Sequence, residues 1–376
     1  MPAAQQAYRL CRRCADREGG GASDFEIVAG RDCFVCAGVM DRVERMARKA
    51  ASRARRYQFR TFAVGVSVPD GVQEREDELR SRLRLKGNET IKTQAARLVA
   101  IQVSRDLGKR VDRQRPDVNL LIDFGVEDVS VASKPVFYYG RYTKPAGVAQ
   151  RRSFCEHCRG AGCKKCRNTG LEQKPSVEGA LRKKLGRLSG SQKMTFTWLG
   201  SEDRESRVYP PGRPFVAEVK NPRRRRLPRR FGARLRGGLV RVTSGKVLPS
   251  KPVRIPSFRF LTRIRAVAAS RVAPEALSEL RSRFLRAPVR FERPHNRPTI
   301  KTVYRVTAKA KGRTLLIDAE LDGGLPVKRF VSGELVSPSV SEVLKTEVGC
   351  RSFDIFRVRE IGEFVFAEVT RIKEEN

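Results

Sequence analysis

The sequence is poor in residues that common enzyme mechanisms need. Its 376 residues include 2 His and 1 Trp, and neither histidine stands in a His-x-Glu pair of the kind that zinc deaminases use. Ser/His and Cys/His nucleophile pairs are poorly supplied, and no Walker-type phosphate loop or Rossmann fingerprint occurs. Histidine-based catalysis and nucleotide-driven chemistry are therefore not indicated, and we expect no nucleotide cofactor.

Long hydrophobic runs are also missing. No apolar run approaches the roughly 18 to 20 residues of a membrane span, and the first residues, "MPAAQQAYRLCRRC", lack the apolar core of a signal peptide. Hydrophobic residues nevertheless make up 40% of the chain, which is enough to bury ordinary cores and too much for a disordered basic tail. We expect a folded cytoplasmic protein of two or three domains without a membrane role.

Acidic residues are scarce relative to basic ones. The chain has 41 Asp and Glu against 79 Lys and Arg, which leaves a formal net charge of +38. Such an excess predicts a polyanionic partner, and nucleic acid fits better than anionic lipid because the arginines are spread along the whole chain. The stretch Arg223 to Arg236 holds eight arginines and no acid. It is either a solvated loop or, as we prefer, a loop that contacts phosphates.

Eight of the nine cysteines form two quartets with metal-ligand spacing. Pairs of Cys-x-x-Cys knuckles are a strong zinc signal in a reducing compartment. For the second quartet there are two alternatives to zinc bound by all four cysteines. The quartet could hold an iron-sulfur cluster, or one of its pairs could join a distant partner. Four thiolates leave no open coordination position, so we expect structural zinc at both. The quartets are Cys11, Cys14, Cys33 and Cys36, and Cys155, Cys158, Cys163 and Cys166.

Hydrophobic periodicity predicts an α+β, multidomain protein. A helix with an apolar face spans 37–57, alternating residues from Phe62 to Val68 predict a strand, and the helix in 89–109 should stop at Gly108. Mostly strand-like segments follow residue 185. The predicted regions are 1–57 (first knuckle pair and helix), 58–145 (small α+β domain), 146–185 (second cysteine cluster and helix) and 186–376 (mixed-sheet domain).

The one acidic stretch carries a recognisable signature. Residues 200–222 read "GSEDRESRVYPPGRPFVAEVKNP". Together with the first knuckle pair, the "YGRY" segment at 139–142 and the glycine-rich cysteine cluster, it resembles the archaeal and eukaryotic tRNA pseudouridine synthases that modify the T-loop, the Pus-ten type. The resemblance spans most of the chain. The matching residues are Gly200, Glu202, Asp203, Arg207, Gly212, Arg213, Pro214, Phe215, Val216, Asn221 and Pro222.

The resemblance implies a fold and an activity. It implies that 58–145 is a THUMP-like RNA-binding domain and that 186–376 is a pseudouridine synthase catalytic domain. The enzyme would be an isomerase that converts uridine 54, uridine 55 or both in the tRNA T-loop, without a metal or cofactor for catalysis. Asp203 would be the catalytic group, with Arg207 as its expected ion-pair partner, while Arg213 and the Arg223 cluster would hold the strained RNA.

Further substrate-binding residues follow from weaker matches. Pro252 and Arg254 survive from a family Thr-Pro-x-Arg-Val pattern, and Val327 and Lys328 stand where relatives show Tyr-Ile-Lys-Glu after a Gly-Gly pair. Tyr304 is the available substitute for a base-stacking tyrosine, or a plain strand residue.

The sequence departs from the family at Ser201, Ser257 and Pro326. These departures keep an alternative open, namely a non-catalytic zinc-containing tRNA-binding protein or RNA chaperone.

Overall fold

The structure is a computed structural model that describes residues 8–19, 25–172, 174–293 and 296–367. The chain forms two compact units, each with its own hydrophobic core. The first comprises the described residues up to Pro135 together with the short segment Lys220–Arg225. The second comprises Val136–Val219 and the described residues from Arg226 onwards.

The first unit packs helices on a small sheet. Strand β3 lies parallel to β4 and β5, and β6 is antiparallel to β5. Its elements in chain order are β1 (Tyr8–Leu10), α1 (Arg12–Glu18), β2 (Phe25–Ile27), α2 (Val43–Ala54), β3 (Thr61–Ser67), α3 (Val72–Leu83), α4 (Ile91–Leu107), β4 (Arg110–Val111), β5 (Val118–Asp123) and β6 (Asp128–Ser133), with short 3-10 turns at Gly30–Asp32 and Met40–Arg42.

Helix α4 shows why the sequence prediction of this region succeeds. The Thr90 hydroxyl accepts a hydrogen bond from the backbone N–H of Thr93 at 3.2 Å and so caps the first turn. Gly108 ends the helix in the left-handed conformation that glycine adopts without strain. The predicted stop at Gly108 is therefore confirmed.

The second unit is built on one large, mostly antiparallel sheet. Its elements are β7 (Val136–Lys144), α5 (Val177–Ser189), β8 (Met194–Trp198), β9 (Val208–Val219), β10 (Phe231–Leu235), β11 (Gly238–Leu248), β12 (Pro252–Arg254), β13 (Ser257–Ala268), α6 (Pro274–Arg283), β14 (Ala287–Arg293), β15 (Asn296–Lys311), β16 (Thr314–Asp322), α7 (Val327–Ser332), β17 (Val336–Ser337), α8 (Val340–Leu344), β18 (Val348–Ile361) and β19 (Val365–Phe366), with a 3-10 turn at Lys164–Cys166.

The strand order places the strands that flank the acidic stretch near the middle of this sheet. The order is β10-β11-β7-β9-β18-β13-β16-β15-β14-β17, and β8 pairs with β9. Strand β13 alternates buried and more exposed residues from Phe258 to Ala268, so one of its faces enters the core. Strands β15 and β16 form an antiparallel hairpin, and Ser339 and Glu342 form a capping box at the start of α8.

Strand β7 differs from its predicted placement. The sequence predicts that β7 belongs to the small α+β domain of 58–145. In the structure β7 pairs with β9 and β11 in the sheet of the second unit. Tyr138 and Tyr142 are fully buried there. Most of its residues on both faces are buried because neighbouring strands flank it, which makes it a core strand of the second unit.

The observed α+β architecture of separate units agrees with the predicted fold class. Among the described residues, no helix has the length and apolar character needed to cross a membrane.

Candidate active site and metal centres

The loop between β8 and β9 carries the acidic signature. It starts with Gly200, whose φ of +93° is in the left-handed region. A Cβ atom at this position would lie 2.2 Å from Nη2 of Arg213. Glycine is therefore required here both by the backbone conformation and by the close packing of the arginine.

Glu202 points inward and is held on all sides. Its carboxylate pairs with the Arg213 guanidinium at 3.1 Å, and both side chains are almost fully buried. The Tyr142 hydroxyl donates a short hydrogen bond to Oε1 of Glu202, and Nε2 of Gln150 donates to Oε2 at 3.0 Å. The same Gln150 nitrogen lies 3.1 Å from the Gly200 carbonyl oxygen. Such a network fixes the loop, since every partner is itself positioned by β7, β9 or the chain after β7.

Lys144, the last residue of β7, holds the loop from beneath. It is 4% exposed, and its Nζ lies 3.0 Å from the Asp203 carbonyl oxygen and 3.2 Å from that of Arg204. The carbonyl oxygens of Val148 and Ser206 are also within hydrogen-bond distance. Burial lowers the pKa of Lys144 to about 8, although nearby carboxylates, first Glu202, act in the opposite direction.

Asp203 differs from Glu202 because its side chain reaches the surface of the loop. Its carboxylate is about one-third exposed and its Oδ2 lies 2.9 Å from Nζ of Lys328, which is about half exposed. The hydrogen bond to Asp203 raises the pKa of Lys328. A pair this exposed contributes at most about 1 kcal/mol to stability. The carboxylate is therefore oriented by a cation that a substrate can displace at little cost.

A cleft of about 760 Å³ opens beside this pair. Residues on both sides of Asp203, namely Glu202 and Arg204, line it, as do Val327 and Arg329 on both sides of Lys328. Asp203 and Lys328 are not themselves among the lining residues, so their chain neighbours place the pair at the edge of the cleft and not inside it. Its walls combine aromatic and aliphatic side chains with many polar and charged ones, several of them arginines. The aromatic lining residues are Trp198, Phe260, Phe291 and Phe353.

The expected ion pair between Asp203 and Arg207 is wrong. Arg207 is exposed, its side chain hydrogen-bonds Tyr209, and its backbone N–H donates to Asp354 at 2.8 Å. The structure pairs Asp203 with Lys328 instead. Sequence proximity favoured Arg207, but Lys328 comes from the start of α7, more than a hundred residues later, and only the fold brings it to Asp203.

The other predicted substrate-binding residues occupy different environments. Arg213 is buried in its pair with Glu202 and lies 4.9 Å over the Phe260 ring, at the wall of the cleft. Val327 also lines the cleft. Arg254 is exposed on the short strand β12. The RNA contacts assigned to these residues stay predictions.

One face of the Tyr304 ring is covered by an arginine. The Arg259 guanidinium lies 3.6 Å from the centre of the ring, and the Tyr304 hydroxyl donates to Oδ1 of Asp322 at 3.0 Å. Asp322 lines the cleft, whereas Tyr304 is not among the lining residues. A base could stack on the face that Arg259 covers only if Arg259 moved, and the proposed stacking role of Tyr304 stays a prediction.

The first cysteine quartet converges within the core of the first unit. The four Sγ atoms of Cys11, Cys14, Cys33 and Cys36 lie within 4.8 Å of one another, and all four residues are buried. Nη1 of the fully buried Arg17 lies 3.5 Å from Sγ of Cys14. Its Nε pairs with Glu18 and with Glu76 of α3. The quartet is thus tied to the helices of the first unit.

The second quartet is held by its own turns. Cys155, Cys158, Cys163 and Cys166 also bring their Sγ atoms within 4.8 Å of one another. Backbone N–H groups donate to these sulfurs, from Gly162 to Cys158 at 3.2 Å and from Gly170 to Cys166 at 3.3 Å. His157, which lies between the first two of these cysteines, is exposed. Both quartets could hold a four-coordinate metal ion, as their spacing predicted.

Two family models match parts of this chain. The family model for the archaeal Pus10 THUMP domain matches residues 46–123, and the model for the Pus10 C-terminal domain matches 137–248, a range that includes Asp203. The tRNA pseudouridine synthase Pus10 of Cenarchaeum symbiosum is 31% identical over 93% of this chain and 90% of its own length. The chain belongs to the Pus10 family of tRNA pseudouridine synthases. The resemblance drawn from the sequence, its isomerase class and the THUMP-type domain are therefore confirmed.

Other Pus10 relatives are archaeal and similarly extensive. The enzyme of Nitrosopumilus maritimus is 29% identical over 87% of this chain and 85% of its own length. Among solved structures, an archaeal box H/ACA Nop10-Cbf5 complex is similar at 8% identity and a TM-score of 0.31, over 58% of this chain and 47% of that chain. That likeness is too weak to support a conclusion.

Two residues outside the acidic stretch complete the site. Lys144 and Gln150 follow the "YGRY" segment and fix the loop between β8 and β9. The apolar context of "YGRYTKP" is a signal for Lys144, because a lysine at the end of a buried strand needs polar partners. Gln150 carries no comparable signal, since its partners come from a loop fifty residues away.

Proposed function

We propose that this Pus10 protein isomerises uridine to pseudouridine in the T-loop of tRNA, at position 54, 55 or both, with Asp203 as the catalytic residue. The observation that supports this most directly is the contrast at the loop between β8 and β9. One carboxylate is buried and neutralised, and the next is presented at the margin of a cleft beside a displaceable cation. A cytoplasmic site of action is part of the proposal and follows from the tRNA substrate.

The reaction is an isomerisation and consumes no cofactor. The bond between ribose C1′ and uracil N1 breaks, the base turns, and a bond from C1′ to C5 forms, while C5 loses a proton and N1 gains one. Asp203 acts either as the nucleophile at C1′ or as the base that assists glycal formation. Both roles need an ionised carboxylate, and Nζ of Lys328 lies 2.9 Å from its Oδ2.

The chain's own residues perform the supporting tasks. The cleft receives the extruded uracil between Val327 and its aromatic walls, which replace the stacking that the base loses on leaving the RNA. Arg151, Arg204 and Arg329 also line the cleft and suit the phosphates on either side of the target nucleotide. Lys144 and Gln150 keep the loop in place while Asp203 reacts.

We propose further that both cysteine quartets hold structural zinc. A tetrahedral zinc ion with sulfur ligands at about 2.3 Å places the sulfurs roughly 3.8 Å apart. The Sγ atoms of Cys11 and Cys36 lie 3.7 Å apart, and those of Cys155 and Cys163 lie 3.9 Å apart. Neither quartet contributes to the cleft lining. Elemental analysis should give two zinc ions per chain, and less than one would overturn the assignment.

The proposed activity is tested with an unmodified tRNA transcript. Wild-type protein is incubated with the transcript, and pseudouridine is mapped at nucleotide resolution beside transcripts in which position 54 or 55 is cytidine. The proposal expects product at one or both positions and none with Asp203→Asn, while both proteins bind tRNA equally. Binding without product from the wild-type protein would favour the RNA chaperone instead.

A further inference from the structure

A cationic pocket lies in the first unit, outside the catalytic machinery described above. It has a volume of about 500 Å³ and is formed by the residues after the end of α2, the residues before β3, the end of α4 and the segment Lys220–Arg225. No carboxylate is among its lining residues. They are Arg55, Arg56, Tyr57, Gln58, Phe59, Leu107, Lys109, Arg223 and Arg224.

Backbone hydrogen bonds hold the two sides of the pocket together. The backbone N–H of Gln58 donates to the Arg223 carbonyl oxygen at 2.7 Å, and the side-chain oxygen of Gln58 accepts from the backbone N–H of Arg225 at 2.9 Å. On the same segment, Oδ1 of Asn221 accepts from the backbone N–H of Ser133. These hydrogen bonds hold the backbone of the segment, and therefore its arginines, beside the end of α2.

The three consecutive arginines of the segment have different tasks. Arg225 is an anchor, because its Nη1 donates to the Ser133 hydroxyl and to the Lys134 carbonyl oxygen and its Nε lies 3.8 Å from Asp117. Arg223 and Arg224 are exposed. In the part of the chain that the structure describes, neither makes an ion pair with a carboxylate within 4.0 Å.

The opposite side of the pocket adds further unneutralised charge. Arg55 and Arg56 are exposed just beyond the end of α2 and likewise make no such ion pair among the described residues. Their position at a helix C-terminus is favourable by itself, but that does not explain two more arginines facing them. Lys109 lies over the Phe59 ring, 5.8 Å from its centre. Five cations converge here, and their mutual repulsion is relieved when an anion binds.

We propose that this pocket is a binding site for the phosphate backbone of the RNA substrate. The inference rests on the proposed function only in taking RNA as the ligand. Guanidinium groups suit it because each can donate two hydrogen bonds to one phosphate. The half-buried Tyr57 adds an aromatic surface beside the cations. None of its lining residues lines the cleft beside Asp203, so we assign it to positioning the RNA and not to the chemical step.

The test uses the full chain and a fluorescently labelled unmodified tRNA transcript. Dissociation constants are measured by anisotropy over a series of KCl concentrations for the wild type and for the double variant Arg55→Gln/Arg223→Gln. Each lost phosphate contact should reduce the slope of log K against log salt by about 0.7 to 0.9. We expect a slope reduced by about 1 to 2 and binding about 10-fold weaker at 0.1 M salt.

Two controls distinguish the effect of the pocket arginines from the effect of a change in net charge. Arg45→Gln removes an exposed arginine of α2 whose charge Glu127 already neutralises at 2.6 Å, and it should leave the slope unchanged. Arg55→Lys/Arg223→Lys keeps the charges and should retain most of the slope. The substitutions leave the backbone bond between Gln58 and Arg223 intact, so the melting temperature should stay the same.

The outcomes also distinguish this inference from the proposed activity. At saturating tRNA the double glutamine variant should form pseudouridine at the wild-type rate, with KM raised. Weakened tRNA binding in this variant would support the pocket even if the wild type formed no pseudouridine. Wild-type affinity and salt slope in the double variant, or an effect equal to that of Arg45→Gln, would overturn it.

Discussion

Glu202 and Asp203 are adjacent in the sequence but occupy opposite sides of one loop. The inner side carries Glu202, whose buried carboxylate is neutralised by Arg213 and hydrogen-bonded by Tyr142 and Gln150. The outer side carries Asp203, which keeps one exposed partner, Lys328, at the margin of the cleft. Glu202 thus anchors the loop, and Asp203 beside it can remain weakly bound. The proposed reactivity of Asp203 depends on this difference.

The substitution Arg213→Met should have the largest effect. It leaves the buried Glu202 carboxylate without its ion-pair partner, and breaking a buried pair costs about 3–5 kcal/mol. Urea unfolding followed by a probe in the second unit measures this loss. In the double variant Glu202→Gln/Arg213→Met no charge is stranded, so part of the stability should return. A single variant that loses less than 1 kcal/mol would mean that the inner side is not the anchor.

Lys144 gives the inner side a pH signature. Burial lowers its pKa to about 8 in the folded chain, whereas the unfolded chain keeps a lysine pKa near 10.4. Between these values the unfolded state binds more protons, so the contribution of Lys144 to the free energy of unfolding rises with pH.

The difference in unfolding free energy between the wild type and Lys144→Met should therefore change in favour of the wild type by about 2 kcal/mol from pH 7 to pH 9.5. Urea midpoints at both pH values measure it. If this difference in unfolding free energy stayed constant, or changed in favour of the variant, the lowered pKa of Lys144 would be contradicted.

On the outer side, Lys328→Met should change rate and not stability. The pair is exposed enough that its loss should alter the free energy of unfolding by less than about 1 kcal/mol. The pseudouridine formation rate at saturating tRNA should fall about 10- to 100-fold, because Asp203 loses the cation that orients it. Lys328→Arg is the matched control and should retain most of the rate. A stability loss as large as that of Arg213→Met would erase the distinction between the two sides.

The smallest effect is expected for Arg207→Gln. Arg207 carries a charge near Asp203 in sequence but hydrogen-bonds Tyr209. The rate at saturating tRNA should stay within about 3-fold of the wild type. A loss comparable to that of Lys328→Met would show that Arg207, as the sequence suggested, acts on Asp203 during turnover.

Local patterns could be predicted from the sequence wherever a short-range rule decides the structure. The caps of α4, the capping box at Ser339 and the two cysteine quartets depend on residues within a few positions of one another. Asp203 was identified because a continuous signature surrounds it. The helices α3 and α6 were not predicted, since their residues are mostly polar and show little apolar periodicity.

Long-range partners could not be predicted in the same way. The pairing of Asp203 with Lys328 depends on β18 lying beside β9 and on α7 packing against β18, and nothing local to either residue specifies it. The placement of β7 in the second unit depends likewise on pairing with β9 and β11. Tyr304 was chosen because it is a tyrosine on a strand. The arginine that covers one face of its ring, Arg259, comes from a different strand and could not be predicted.

The most direct test of the account compares Asp203→Asn with Glu202→Gln in single-turnover pseudouridine formation at saturating tRNA. The account predicts that Asp203→Asn lowers the rate by a factor on the order of 10³ or more, with unchanged tRNA affinity and melting temperature. Glu202→Gln should lower the melting temperature while retaining measurable turnover. A rate for Asp203→Asn within 10-fold of the wild type would contradict the assignment of Asp203 as the catalytic residue.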